Sequence, residues 1–196
     1  IQLLAGRCSQ LLNMTHLANE IGVSVPTIKN WISILEASGI IFLLPPYHSN
    51  LGKRIVKSPK VYFLDIGLVC YLTGIKDQDH LLNGPMAGPL FENFCIQETV
   101  KRFCNRGQKA NIYFMRTGAG LEVDIIIEES FNRMMAVEVK LTKTPNTSMG
   151  SNLRRFRRVF EAFDVHKSII LSLNDESFPM GNNIFSSSLE DYLAQI

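Results

Sequence analysis

Residues Glu122-Val-Asp124-Ile-Ile-Ile127 and Ala136-Val-Glu138-Val-Lys140 constrain this chain more than any other stretch. Side chains along a strand alternate between faces, so the pattern predicts two short strands joined by a turn. In the first, Glu122, Asp124 and Ile126 share one face, and Val123, Ile125 and Ile127 share the other. In the second, Glu138 and Lys140 share a face, while Val137, Val139 and Leu141 point away. Pairing the strands can bring Asp124, Glu138 and Lys140 together at one sheet surface. Two such carboxylates hold a hard cation, Mg2+ or Mn2+, through oxygen. The cation polarises a phosphate and acidifies a bound water, and Lys140 can orient that water or stabilise developing charge. Together these groups make a device for cutting phosphodiesters. Structural salt bridges on half-exposed strands use the same residue types, so both readings stand on spacing alone.

The order of the neighbouring elements adds information. Residues 89–103 read as a helix after the loop Asn83-Gly-Pro-Met-Ala-Gly88, and 111–116 as a strand. Thr117-Gly-Ala-Gly120 is a turn. The two strands above come next, then a helix over 150–163 and a strand over 168–173. Helix, three strands, helix, strand is an order that resembles the core of the PD-(D/E)XK nuclease superfamily, with Asp124 and Glu138-Val-Lys140 at its motif positions. The resemblance implies a further acid on the first helix, where Glu92 is the candidate. Glu92 shares a helical stripe with Ile96, Thr99 and Phe103, and a structural ion pair is its alternative role.

The first part of the chain reads as a helix-turn-helix. Residues 15–21 form a short helix with Thr15 as its expected N-cap. Gly22-Val-Ser24 is the turn, and Ser24 caps a second helix over 25–38 that ends at Gly39. The expected core stripe of that helix is Ile28, Trp31, Ile32 and Leu35. Thr27, Lys29, Asn30 and Ser33 are left near the outer face, where a recognition helix meets a groove. Strands over 40–44, 50–56 and 60–64 would complete a winged helix. Lys53, Arg54, Lys57 and Lys60 occur there without an acid and can contact phosphates, although such a domain serves equally as a protein-docking module. A capped helix over 65–74 follows. The polar connection 76–89 marks the expected boundary between a winged helix-turn-helix domain, 1–80, and a nuclease-like domain, 84–196.

Two further basic groups stand out. Arg116, at the end of the strand before the turn, either meets a phosphate near the metal or pairs with Glu122 or Asp124. Arg154, Arg155, Arg157 and Arg158 flank the apolar stripe Leu153, Phe156, Val159 and Phe160. They form a surface for a phosphate backbone or for an acidic protein partner.

Of the 196 residues, 46% are hydrophobic and 19% charged, which fits a folded globular protein rather than a disordered one. A net charge of +2 does not by itself point to a nucleic-acid partner. Cys8, Cys70, Cys95 and Cys104 form no CxxC pair and read as free thiols in a reducing compartment, without structural zinc. No apolar run is long enough to span a bilayer, no signal-peptide pattern is present, and a cytoplasmic location is expected. His16, His48, His80 and His166 lack metal spacing. No P-loop pattern occurs.

A closer resemblance rests on Leu51-Gly-Lys-Arg-Ile-Val-Lys-Ser-Pro-Lys-Val-Tyr-Phe-Leu-Asp-Ile-Gly-Leu68, Gly88-Pro-Leu-Phe-Glu-Asn93, Met115-Arg-Thr117, Glu122-Val-Asp124 and Glu138-Val-Lys140. As a set they look like the C-terminal domain of unknown function of prokaryotic AAA+ ATPases, over residues 3–160. The resemblance implies an α+β architecture: a winged helix-turn-helix and then a restriction-endonuclease-like αβββαβ core with a mixed sheet. It also implies an ATPase domain as a partner within a longer protein. The expected function is nucleic-acid binding, of DNA above all, with a potential metal-dependent phosphodiesterase site. The alternative is a non-catalytic interaction or regulatory module of the ATPase. Met115 stands before Arg116 where that family often has an aromatic.

Overall fold

A computed structural model describes residues 1–47 and 56–196. It is a mixed α+β protein with eight α-helices among the described residues. The chain forms two compact units. The first comprises Ile1–Leu44 and Ser58–Gln97, the second Pro45–Lys57 and Glu98–Ile196. The division therefore falls inside a helix.

The first unit starts with α1, Gln2–Ala5, then α2, Met14–Ile21, and α3, Val25–Ala37. The N-cap of α2 is Asn13 rather than Thr15: its side chain accepts a hydrogen bond from the His16 N–H at 2.9 Å. Asn is among the strongest caps, and the helix starts earlier than the pattern predicts. Gly22, in the left-handed region at φ 80°, makes the turn. Ser24 caps α3, accepting from the Thr27 N–H at 3.3 Å. Ile28 and Ile32 are buried and Leu35 packs against the same core, but Trp31 is 46% exposed and Ile34 61%. The expected core stripe thus loses Trp31 to the surface.

Strands β1, Ile41–Leu44, and β2, Lys60–Phe63, pair antiparallel from Ile41 opposite Phe63 to Leu44 opposite Lys60. All four β2 residues are buried. The other edge of β2 pairs with the segment before α2: Ser9 N–H donates to Val61 O at 2.9 Å and Val61 N–H to Gln10 O at 3.0 Å. The strand expected over 50–56 lies outside the described residues except Val56, whose N–H donates to Arg116 O in the second unit's sheet at 3.0 Å. Helices α4, Ile66–Thr73, and α5, Gln78–Asn83, lead to α6, Ala87–Asn105. Pro89 is accommodated in the first turn of α6, where its missing N–H is not needed.

In the second unit, β3 (Ile112–Arg116), β4 (Glu122–Ser130) and β5 (Arg133–Val139) form an antiparallel meander. A 3-10 turn, Thr147–Gly150, runs into α7, Ser151–Val159, and the chain returns as β6, Asp164–Leu171, parallel to β5. Then come β7, Phe178–Pro179, β8, Ile184–Ser187, and α8, Leu189–Gln195. The sheet has six strands in the order β3-β4-β5-β6-β8-β7, parallel at β5–β6 and β6–β8. Leu153, Phe156 and Phe160 are buried in one cluster with Met115, Val123, Ile126, Ala136 and Ile170, which seats α7 on one sheet face. The outer edge of β3 is covered by residues 45–47: Tyr47 N–H donates to Phe114 O at 2.7 Å, and Phe114 N–H to Pro45 O at 3.1 Å.

Candidate functional site

The site grows from an irregularity in β4. Tyr113 of β3 stands opposite Ile126, but Met115 stands opposite Val123, so β4 carries one residue more than β3 at Asp124–Ile125. Such a bulge breaks the period-two rule and re-aims side chains. Val123 and Ile126 consequently pack in the same cluster under α7, and the strict alternation expected across 122–127 fails at Asp124.

Beyond the bulge the β4–β5 ladder runs from Ile125 opposite Val137 to Ser130 opposite Arg133. At its open end the Asp124 carboxylate takes over as a partner for β5, with Oδ2 accepting from the Val139 N–H at 2.8 Å. Glu138 is 4% exposed, and its Oε1 accepts from Lys140 Nζ at 2.8 Å and from Asn152 Nδ2 of α7 at 3.4 Å. Its other oxygen, Oε2, is buried and has no hydrogen-bond partner. Burial and then the nearby Asp124 charge push the Glu138 carboxyl up from 4.5 to about 7, while Lys140 and Asn152 pull it down. Asp124, Glu138 and Lys140 are thus gathered at the end of β5, with Asn152 beside them.

Glu92 is engaged within the first unit. Its Oε1 accepts from Lys60 Nζ at 3.1 Å and from Tyr62 Oη at 2.5 Å. The next residue, Asn93, is fully buried and mimics a neighbouring strand: Oδ1 accepts from the Phe63 N–H at 2.7 Å and Nδ2 donates to Phe63 O at 2.8 Å. The Gly88–Asn93 motif therefore locks α6 onto β2. Lys60 is 3% exposed, which withdraws it from any surface phosphate. Lys57, Lys29 and Asn30 are exposed, and Lys53 and Arg54 lie outside the described residues.

The arginines are largely occupied. Arg116 Nε lies 3.7 Å from Glu122. Arg154 donates to Thr147 O at 2.8 Å, Arg155 to Ala119 O and Gly120 O at 3.3 and 3.4 Å, and Arg157 to Val165 O. Three of the four α7 arginines thus tie their helix to backbone carbonyls around it, leaving Arg158 as an exposed member of the row.

Asn152 is a site residue that the motif pattern does not single out, though a signal for it exists. It lies four residues before Phe156, on the stripe that α7 turns to the sheet, where an apolar residue is expected. A polar group on that stripe calls for a buried partner. Gly150 makes the approach possible. A Cβ there would meet Ile184 Cδ1 at 3.1 Å and an Arg154 guanidinium nitrogen at 3.2 Å.

Among the described residues no group of three or more His, Cys, Asp or Glu side chains is arranged to hold a metal ion. Asp124 and Glu138 can offer carboxylate oxygens at the end of β5, and two such ligands suit a cation that keeps most of its waters, as Mg2+ does. All four cysteines are free thiols. No described helix is long and apolar enough to cross a membrane.

Residues 87–192 match the family Domain of unknown function (DUF4143). The chain belongs to this family. DUF4143 is a domain found with AAA-type ATPases. Residues 1–79 match a second family, Domain of unknown function (DUF8612). The chain is 27% identical over 191 residues to the uncharacterized protein Rv2008c of Mycobacterium tuberculosis, covering 97% of this chain and 41% of the relative. The same figures hold for the uncharacterized protein Mb2031c of Mycobacterium bovis. The chain thus spans about two fifths of the length of the curated relatives it matches. An assembly of Thermococcus gammatolerans McrB AAA+ hexamers with bound McrC aligns over 82% of this chain and 59% of its own at 10% identity, with a TM-score of 0.36.

Proposed function

We propose that this DUF4143 protein carries a metal-dependent phosphodiesterase site of the PD-(D/E)XK type at Asp124, Glu138 and Lys140, and acts on DNA as the C-terminal part of a cytoplasmic AAA+ ATPase. The observation that carries this reading is Glu138 Oε2, a buried carboxylate oxygen without a donor beside a second buried carboxylate. Leaving such an atom unsatisfied is unfavourable, and a divalent cation is the partner that would satisfy it. Asp124 and Glu138 would be its protein ligands. A bound Mg2+ or Mn2+ supplies Lewis acidity to a phosphate oxygen and lowers the pKa of a water. Lys140, 37% exposed at its side chain, pairs with Glu138 Oε1 and keeps a positive charge at the mouth of the site, where a phosphate would enter. The helix, three strands, helix and strand that frame these residues support the restriction-endonuclease-like reading of the core.

The experiment is digestion of supercoiled, linear and single-stranded DNA with Mg2+ or Mn2+. It compares this chain with the protein carrying the ATPase portion, with and without ATP. Cutting should fall about a hundred-fold or more in Asp124→Ala, equivalent to nearly ~3 kcal/mol of barrier. Cutting that survives Asp124→Ala, or none in any form, would overturn the assignment.

A second reading applies to the first unit. We infer that α2 and α3 with the β1–β2 hairpin are a winged helix-turn-helix used for protein docking. The exposed Trp31 and Ile34 favour this over groove reading. The remaining length of proteins like the curated relatives leaves room for the ATPase as its partner.

A further inference from the structure

We propose that Asn152 is the positioning residue that holds Glu138 by Oε1, so that Oε2 is the oxygen presented to a divalent cation. The inference rests on the metal-site reading above and goes beyond it, because it assigns unequal roles to the two oxygens of one carboxylate and adds a residue from a different element.

The two donors to Glu138 come from different elements of the fold. Lys140 is two residues further along the same chain segment, and its long side chain is partly exposed. A flexible lysine can follow the carboxylate through a range of rotamers and does not fix it. Asn152 sits in the first turn of α7, a helix anchored by Leu153 and Phe156, both fully buried. Its short side chain moves little once the helix is seated. Both donors converge on Oε1, at 2.8 and 3.4 Å, and Oε2 receives neither. A carboxylate held this way has one saturated oxygen and one open oxygen.

The local sequence produces this arrangement. Asn146 caps the 3-10 turn by accepting from the Ser148 N–H at 3.1 Å, and Gly150 lets the junction with α7 press against Ile184 and Ile170. That close approach carries Asn152 into reach of the end of β5. Partners of metal-binding carboxylates that set ligand orientation change metal affinity about 10- to 100-fold when removed.

The test is direct Mn2+ binding, followed by calorimetry and by the electron paramagnetic resonance signal of free Mn2+, without DNA. Thermal unfolding of each variant is recorded beside it. Asn152→Leu keeps the volume and removes the donor, Asn152→Ala removes both, and Asn152→Gln keeps an amide. Both donor-less variants should raise the Mn2+ dissociation constant about ten-fold or more, with Asn152→Gln between them and wild type. Wild-type affinity in folded Asn152→Leu or Asn152→Ala would overturn the inference while leaving the metal site standing. Wild-type protein with no Mn2+ binding sensitive to Asp124→Ala would overturn both.

Discussion

Each unit of this molecule holds a lysine–glutamate pair with one buried member, and the two pairs are built in opposite ways. In the first unit the cation is buried, Lys60 at 4% side-chain exposure against 19% for Glu92, and Tyr62 donates to the same acid. In the second unit the acid is buried, Glu138 at 5% against 37% for Lys140, and one carboxylate oxygen has no donor. A buried charge is unfavourable unless it is paired and hydrogen-bonded. The first arrangement uses its acid to neutralise an ammonium inside the core. The second leaves a buried acid incompletely satisfied next to another acid, which is unfavourable unless a further partner is supplied. Two acids that look alike in sequence thus sit in different surroundings: Glu92 accepts from Lys60 and Tyr62, and Glu138 keeps one buried carboxylate oxygen without a hydrogen-bond donor.

The largest expected effect comes from breaking the first pair. Glu92→Ala leaves Lys60 buried without this partner, and removing one member of a buried pair typically costs about 3–5 kcal/mol. Urea denaturation should show a loss of about 3 kcal/mol in Glu92→Ala, partly recovered in the double variant Glu92→Ala, Lys60→Met. If Glu92→Ala instead left stability unchanged and abolished metal-dependent cutting, Glu92 would belong with the catalytic acids and the contrast between the pairs would fail.

How far these roles are legible in the sequence depends on the range of the interactions. Ser24 before α3 and Gly74 after α4 act within one turn of their own helices, and both are legible from local residue types. The strands that carry Asp124 and Glu138 are legible from their aliphatic alternation. The bulge at Asp124 is not, because it is set by the register of β3 against β4, which no pattern within β4 records. Hydrophobicity alone assigns Trp31 inward, and its place on the flank of α3 depends on which neighbours fill the core. The same holds for residues 45–47, whose partner Phe114 is distant in sequence. Elements β7, β8 and α8 carry little local signal because they are too short to show a period. They are completed by β6 and by the Tyr192–Thr99 hydrogen bond at 3.0 Å.

A smaller effect sharpens the second pair. In the absence of metal the Glu138 carboxyl titrates at about 7 in the folded chain against an ordinary 4.5. The folded state therefore binds this proton more tightly than the unfolded state. Stability from this group is fully present below pH 4.5 and is lost as pH rises through 7. With a chelator present, the wild type should lose about 2 kcal/mol more than Glu138→Gln between about pH 5 and pH 8. Millimolar Mg2+ should restore the wild type at about pH 8 and leave Glu138→Gln unmoved, since a ligand that binds only the folded state stabilises it. Parallel pH profiles for the two proteins would mean that Glu138 is as well satisfied as Glu92.

The smallest effect on stability concerns α3. Its outward side carries Lys29, Asn30, Ser33 and Glu36 beside Trp31 and Ile34, so one cation is set among an acid and two large apolar side chains. A helix that neutralises phosphates contributes to the salt dependence of binding, and the slope falls by about 0.9 for each phosphate no longer neutralised. Lys29→Ala should therefore leave the salt slope of DNA binding at its wild-type value. Trp31→Ser with Ile34→Ser should change folding stability by about 1 kcal/mol, because about half of each side chain's surface is already in water. The same double change should weaken association with an ATPase portion supplied as a separate chain, measured by calorimetry, because exposed aromatic and aliphatic anchors dominate docking energetics. A salt slope that flattens in Lys29→Ala, with ATPase association unaffected by the Trp31 and Ile34 changes, would return α3 to DNA.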